Sequence, residues 1–499
     1  MATAFHHGIT YTELKSRLRV ISVIRTGVIG LIITAPIHKL PAAQRTLNRN
    51  IVILSDMDKA YYFGAEEDGI GYSAHTAINA VWSQGGGAII AINVFDPSVH
   101  RTLGSSIATS GNSSRTSNVA TVTTAAAHGL VAGDFVNVAS FAAGFLGLNV
   151  DFVEVASAPT TTTFTFASEG ANIAAAAQTA GVVKKITFDP SLVDAADVIG
   201  TVDENGNRSG MKVWQDARTT VGDTPRILAI PGYSTQASVA AALGVIAEEI
   251  GAVYALDAPA GLTTQQVLEG RGVTGTINLN TSSTRAYILD MHCKAFNAAT
   301  GLEELQPSSP FVAGLIARVD KEEGFWVSPS NHELRNITGV ERSVHFDVMD
   351  SDSEATQINS KGVATIVRDY GTGFILWGNR SAAYPSNADP ESFLCIRRVM
   401  DVLKYSLGYN MRPFVDRPML LANIDSVLAS MNAFVRSLIG QGALVGGEVT
   451  FEPNQNDPLN LAQGKVKFNL RHMAPTPMEH IEIESQMDIE LFRVLFENI

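Results

Sequence analysis

Cysteine is nearly missing: 499 residues carry two, Cys293 and Cys395. That excludes a disulfide framework and any multi-cysteine zinc site. One bond between the two is the most that can form, and a reduced compartment is the simpler reading. Positive charge is also short. Thirty-six Lys and Arg face 49 Asp and Glu, a formal net charge of −13. Neutralising phosphates takes a basic face, so this balance argues against sequence-independent binding to nucleic acid. Charged residues make up only 17% of the chain and hydrophobic ones 45%. Either the cores are large or partners cover much of the surface. Long apolar runs are missing too. The best candidate, residues 20–36, contains Arg25 and falls short of the roughly 20 apolar residues a membrane-spanning helix needs. Its β-branched residues and two glycines suit one or two buried strands. The opening Met1-Ala-Thr-Ala-Phe-His-His-Gly lacks the basic region and apolar run of a secretory signal.

The length predicts roughly three domains of about 150 residues each. Residues 20–98 alternate strand and helix patterns, with strands at 50–55 and 88–94 around a helix at 73–84. This βαβ rhythm implies a parallel or mixed sheet covered by helices. The composition then changes. Ala, Thr, Ser, Gly and Val dominate residues 105–185, and segments 119–123, 135–138, 152–155 and 163–166 alternate at the strand period between turn residues. The pattern predicts an all-β module inserted at 99–185. Afterwards the α/β rhythm resumes, with strands at 226–231, 252–257 and 285–290 and a helix at 235–250. From about residue 346 a hairpin (363–377) is followed by two helices. The first, 391–409, carries Phe393, Ile396, Met400, Leu403 and Leu407 on one face, and the second follows Pro418 and ends near Gly440 and Gly442. Strands are expected at 448–451 and 465–470. The fold class is therefore α+β to α/β and multidomain: a mixed-sheet core, an inserted all-β module and extended strand arms.

Chemistry is hard to find. Gly232-Tyr-Ser-Thr-Gln places Ser234 between a strand and a helix, but no glycine follows two residues on, as a nucleophile elbow requires. A helix N-cap is the better role for Ser234. Ser83-Gln-Gly-Gly-Gly leads into a strand, whereas a phosphate loop leads out of one. Asp350-Ser-Asp-Ser-Glu354 begins like a calcium loop but has Ala355 where glycine belongs. His6 and His7 are adjacent and point to opposite faces of a strand. Cys395 reads as a small core hydrophobe. No catalytic, cofactor or metal site is expected.

Both ends carry short alternating segments with no partner nearby in sequence. Phe5, His6, Ile9 and Tyr11 stand at one end; Ile481 and Ile483, between His480, Glu482 and Glu484, stand at the other. An unpaired strand must satisfy its backbone groups somewhere. Pairing with a neighbouring copy would be strand addition, and repeated heterologous pairing would build an open helix. The residues alone leave pairing within the same chain equally open.

Several stretches, in order, span nearly the whole chain: Phe5-His-His-Gly-Ile, Arg19-Val-Ile-Ser, Val28-Ile-Gly-Leu-Ile-Ile-Thr-Ala, Ile199-Gly-Thr-Val-Asp-Glu-Asn-Gly, Pro225-Arg-Ile-Leu-Ala-Ile-Pro-Gly, Gly324-Phe-Trp-Val-Ser-Pro-Ser-Asn, Ile337-Thr-Gly-Val, Gly373-Phe-Ile-Leu-Trp-Gly-Asn-Arg and Leu461-Ala-Gln-Gly-Lys-Val-Lys-Phe-Asn. On these the chain resembles the major tail sheath proteins of contractile-tailed bacteriophages, and it is similar to R-type bacteriocin sheaths. Compact members of that family lack residues 99–185, which resemble an added outer decoration.

The resemblance implies a structural, non-enzymatic subunit. It would form hexameric rings in a helical sheath around a tail tube protein, between baseplate and tail terminator proteins, assembled in the host cytoplasm with no nucleic acid and no membrane insertion. It also implies an organisation: linking arms at 1–20 and 479–499, an α/β domain at 21–98 and 186–345, the insertion at 99–185, and a tube-proximal domain at 346–478. The arms are expected to pair in trans with acceptor strands containing Val449, Phe451, Val466, Phe468 and Leu470. Arg397, Arg398 and Lys404 are the candidates for tube contact. The alternative from another class is an α/β hydrolase-like enzyme using Ser234.

Overall fold

A computed structural model of the chain describes residues 21–272, 275, 277–489 and 491. The N-terminal arm, with Phe5, His6, Ile9 and Tyr11, lies outside the described residues.

Isoleucines and leucine with no polar alternation mark a strand covered on both faces, and β1 (Ile29–Ile33) is buried throughout. Gly30 permits this, because a Cβ there would meet side chains of Leu228, Pro225 and Trp214 at 2.7–3.0 Å. There follow β2 (Ile51–Ile53), α1 (Asp56–Phe63), α2 (Ala74–Ser83) and β3 (Ile89–Asn93). β3 lies parallel to β1, and β2 runs antiparallel outside it.

Among the described residues the next nine strands pair only with one another. They are β4 (Arg101–Leu103), β5 (Ile107–Ala108), β6 (Asn112–Thr116), β7 (Val119–Thr123), β8 (Phe135–Ala139), β9 (Val150–Ser157), β10 (Thr163–Ala167), β11 (Ile173–Ala177) and β12 (Val182–Phe188). The path β7–β10–β9–β8–β12–β5 returns to β7 through a bridge between Thr109 and Thr124, so the sheet closes on itself. Inside are Val122, Val136, Val138, Phe141, Leu148, Phe164 and Phe166. At the neck, His100 Nδ1 accepts the Asp96 N–H at 2.9 Å, so Nε2 carries the proton and donates to Asp197 Oδ2 at 3.0 Å. The Asp189 N–H donates to the His100 carbonyl at 3.2 Å, holding the outgoing and returning chain together. His38 stacks on Phe188 at 3.8 Å, and Arg45 pairs with Glu154 at 3.1 Å across the same junction.

The chain then re-enters the central sheet through α3 (Ala195–Ile199), α4 (Ala217–Thr220), β13 (Ile227–Ala229), α5 (Ala237–Ile250), β14 (Val253–Asp257), α6 (Thr264–Gly270) and β15 (Ala286–Leu289). A smaller sheet of β16 (Cys293–Asn297), β17 (Leu302–Gln306) and, later, β19 (Gly339–Val340) brackets α7 (Ser309–Glu322) and β18 (His332–Glu333). After α8 (Glu354–Asn359) come β20 (Val363–Asp369) and β21 (Gly373–Trp377). Among the described residues the central order is β18–β21–β20–β15–β14–β13–β1–β3–β2, parallel from β20 to β3 with antiparallel edges. The chain builds one side of β1 first and returns to build the other, as in doubly wound folds. Leu31, Ile33, Ile78, Tyr287 and Phe311 pack on one face, and Ile32, Trp214, Leu228, Leu243 and Tyr254 on the other.

The boundary expected at residue 346 is corrected. β20 pairs in parallel with β15, so the 363–377 hairpin completes the central sheet instead of opening a new unit. A separate core begins with α9 (Leu394–Met411) and continues through α10 (Leu421–Gly440), β22 (Gly446–Thr450), α11 (Pro458–Ala462) and β23 (Asn469–Met473). Phe393, Ile396, Val399, Leu403, Phe434, Leu438 and Val449 fill it. β22 and β23 form a two-stranded antiparallel sheet. The strand expected at 465–470 is shifted accordingly, and Val466 and Phe468 precede it. The Asn456 side chain takes both backbone groups of Lys467, accepting its N–H at 2.7 Å and donating to its C=O at 3.0 Å, where a neighbouring strand would otherwise sit. Phe451 lies just beyond β22. Among the described residues no helix is long and apolar enough to cross a membrane.

Candidate assembly interface

α9 is the seam between the two cores. Arg398 and Asp320 of α7 form a two-point ion pair with 6% and 3% of their side chains exposed. Three residues further, Asp401 accepts from Arg285 at the start of β15 (Nη2 to Oδ1, 3.0 Å, with a second bond to Oδ2) and from Arg397 at 2.9 Å. Arg226 lies 4.2 Å over the Tyr405 ring and Arg218 3.5 Å over Tyr409, both planar cations on aromatic faces. The two cores are therefore fastened by charge pairs sealed from water, where removing one partner is costly.

This geometry corrects two of the three tube-contact residues. Arg398 is buried against Asp320, and Arg397 is turned onto Asp401 and Glu391. The helical spacing was visible in sequence, and so was Asp401 four residues after Arg397, but the partner of Arg398, 78 residues away, was not. Lys404 is exposed.

Ser234 is 3% exposed and is neither a nucleophile nor a helix cap. Its hydroxyl accepts the Asp257 N–H at 3.1 Å and donates to the Asp257 carboxylate at 3.2 Å, and no side-chain cap bond serves α5. Asp257 also accepts from Ser309 N–H at 2.8 Å. Burial raises its pKa, which these donors partly oppose. The group is a closed polar plug at the end of β14. Both cysteines are buried and free, and burial pushes Cys293 up to about 12 and Cys395 up to about 11.

The C-terminal tail behaves differently. Arg380 lies 3.6 Å over the Phe393 ring and holds both carboxylate oxygens of Glu479, with Nη2 to Oε2 at 2.6 Å and Nε to Oε1 at 3.0 Å. Beyond that clamp, residues 480–488 take no regular structure, and Ile481 and Ile483 are 68% and 83% exposed. A groove of about 1170 Å³ runs beside the clamp, lined by Trp326, Phe346, Trp377, Tyr384 and the tail itself. Sequence reasoning missed Arg380 and Glu479 as a pair. The only signal was a glutamate opening the alternating tail.

Comparison with known proteins gives the family. Residues 206–382 match the central domain of the phage tail sheath protein. The chain is 37% identical to the tail sheath protein of Burkholderia phage BcepMu over 508 aligned residues, covering 99% of both chains. The chain belongs to the phage tail sheath proteins.

This family is structural and non-enzymatic, so the chain is a component of the virion tail. The sheath protein is also similar to the tail sheath protein of Escherichia phage P2, at 27% identity over 58% of this chain and 70% of that one. Two solved structures share its fold. One is the sheath of an extracellular contractile injection system in its contracted state (TM-score 0.57, 15% identity, 98% of this chain and 100% of that one). The other is the contracted helical sheath of the anti-feeding prophage (TM-score 0.58, 15% identity, 96% and 99%).

Proposed function

We propose that copies of this sheath protein stack as hexameric rings, helically arranged around an inner tail tube and bounded by baseplate and tail terminator proteins. Assembly takes place in the host cytoplasm, and contraction drives the tube through the host envelope during genome delivery. The observation that carries this is the state of the C-terminal segment: among the described residues, a sheet of two strands, β22 and β23, beside a clamped tail whose Ile481 and Ile483 face water. A two-stranded sheet is marginal alone, and exposed alternation needs an edge to pair with. Arms from residues 1–20 and 479–499 that add to this sheet in neighbouring copies satisfy both needs. The buried ion pairs along α9 favour movement of each subunit core as a rigid body while its arms keep it tethered. Contraction then releases free energy stored in a kinetically trapped extended sheath, with no nucleotide required.

Tube contact falls to the surface around Lys404, and the β4–β12 module faces outward, where it does not obstruct stacking. Negative-stain microscopy of the purified protein tests this reading. Tubular polymers are expected; a discrete particle at every concentration and salt tried contradicts it.

A further inference from the structure

Lys59 is the one buried lysine among the described residues, at 7% exposure. It stands near the start of α1, behind the Ser55 cap. Its Nζ donates to Asn79 Oδ1 on α2 at 2.7 Å and to Glu66 Oε2 at 3.0 Å. Asn79 Nδ2 donates to the other Glu66 oxygen, Oε1, at 2.6 Å. Amine, carboxamide and carboxylate thus close a ring of contacts. Asp56 reaches the same Nζ at 3.3 Å, and the Trp82 ring lies 5.6 Å from it.

A buried ammonium needs a carboxylate for a partner. This one is also held against an amide carbon. A C=O bond is about 1.2 Å long, so Nζ lies within about 4 Å of Asn79 Cγ. That is close to the roughly 3–3.5 Å of reacting atoms poised for attack. The two helices cannot easily drift apart, because His75 Nε2 on α2 donates to the Gly64 carbonyl at the end of α1 at 3.1 Å. Asn79 also lines a cavity of about 440 Å³ with Thr76, Ser83, Phe296 and Gln306, which gives a small leaving molecule a way out.

We infer that Lys59 and Asn79 join in an isopeptide bond, made by the folded chain itself with Glu66 as proton carrier. Glu66 takes a proton from the Lys59 ammonium, and the freed amine attacks Asn79 Cγ. The Nζ–Cγ bond forms and the Cγ–Nδ2 bond breaks. Glu66 passes the two protons shed by Nζ to Nδ2, which keeps the electron pair of the broken bond and leaves as ammonium. Nothing is oxidised or reduced, and no co-reactant enters. The bond ties α1, beside the edge strand β2, to α2 across 20 residues of sequence. A cross-link of that kind restricts the unfolded chain and raises stability.

Intact-mass spectrometry and tryptic mapping of the purified full chain test this. The wild-type mass is expected to fall below the sequence mass by one ammonia. The digest is expected to hold a branched peptide, uncut at Lys59 and joined at Asn79. Lys59→Met and Asn79→Ala are expected to show their full sequence mass and to melt several degrees lower. Glu66→Gln keeps the shape of the site and is expected to slow bond formation about a hundredfold or more.

A wild-type chain at full sequence mass, as subunit and as polymer, overturns the proposal and leaves an ion-paired cluster only. Loss of ammonia without the branched peptide is cyclisation of an asparagine on its own backbone, and overturns it equally. A branched peptide that forms as fast in Glu66→Gln overturns the part given to Glu66.

Discussion

Arg398 on α9 and Asp320 on α7 meet through two hydrogen-bonded contacts, almost wholly out of water, and so join the C-terminal core to the central sheet. Asp320→Ala leaves a buried guanidinium without its counter-charge. The expected loss is about 3–5 kcal/mol of folding stability, measured by urea unfolding of the monomer. A loss below about 1 kcal/mol, the level of an exposed pair, contradicts the seam. Lys404→Glu, on the exposed side of the same helix, is expected to leave the unfolding midpoint unchanged.

Acid is expected to weaken the junction between the β module and the central sheet. His38 is buried against Phe188, and burial first, then nearby Lys39 and Arg45, lowers its pKa from 6.5 to about 4. Between those values the unfolded chain takes up a proton that the folded chain refuses, so stability falls as pH drops from 6.5 to 4, by about 3 kcal/mol in all. Buried Asp290 acts oppositely: burial raises its pKa from 3.8 to about 6, so its contribution grows as pH falls through 6. The clean readout is therefore the difference in stability between wild type and His38→Phe across this window. It is expected to widen in favour of the variant as pH falls. A flat difference contradicts a buried neutral imidazole.

The β module is expected to be dispensable for polymerisation. Its neck is narrow, with the Asp189 N–H only 3.2 Å from the His100 carbonyl, so a short linker can replace the residues between. Excision between Asp96-Pro97 and Asp189-Pro190 is expected to give sheaths of normal length but smaller diameter by electron microscopy. Loss of sheaths from a folded subunit places the module inside the lattice instead.

The clamp on the tail is expected to matter for assembly more than for folding. Glu479→Gln removes the charge that Arg380 holds while keeping its shape. Because Glu479 is 42% exposed at its side chain, melting is expected to shift by no more than a surface pair allows, under about 1 kcal/mol. Assembly is expected to weaken through misdirection of the arm, measured as a higher critical concentration. An unchanged critical concentration contradicts the clamp's role.

Local periodicity carried much of the architecture into view. The period-two segments at 119–123 and 163–166 became neighbouring strands β7 and β10, because alternating burial is written in adjacent residues. The unbroken apolar run at 29–33 became a strand covered on both faces for the same reason. What failed depended on distant partners. β20 looked like the start of a new unit because its mate β15 lies about 75 residues earlier. Arg398 read as free to meet a tube because its partner Asp320 lies 78 residues away in sequence. The strand near 465–470 began late because a side-chain amide from Asn456 imitates a strand, a substitution that no hydrophobic pattern records. Ser234 read as a cap from its place before a helix, yet the carboxylate that claims it sits at the end of the next strand.

The decisive measurement is a high-resolution cryo-EM map of the polymer assembled from the intact chain. Residues 480–488 of one copy should lie as a strand added to another copy's β22–β23 sheet. A map in which those residues return to their own subunit, or in which no copy extends a strand to its neighbour, would contradict the account.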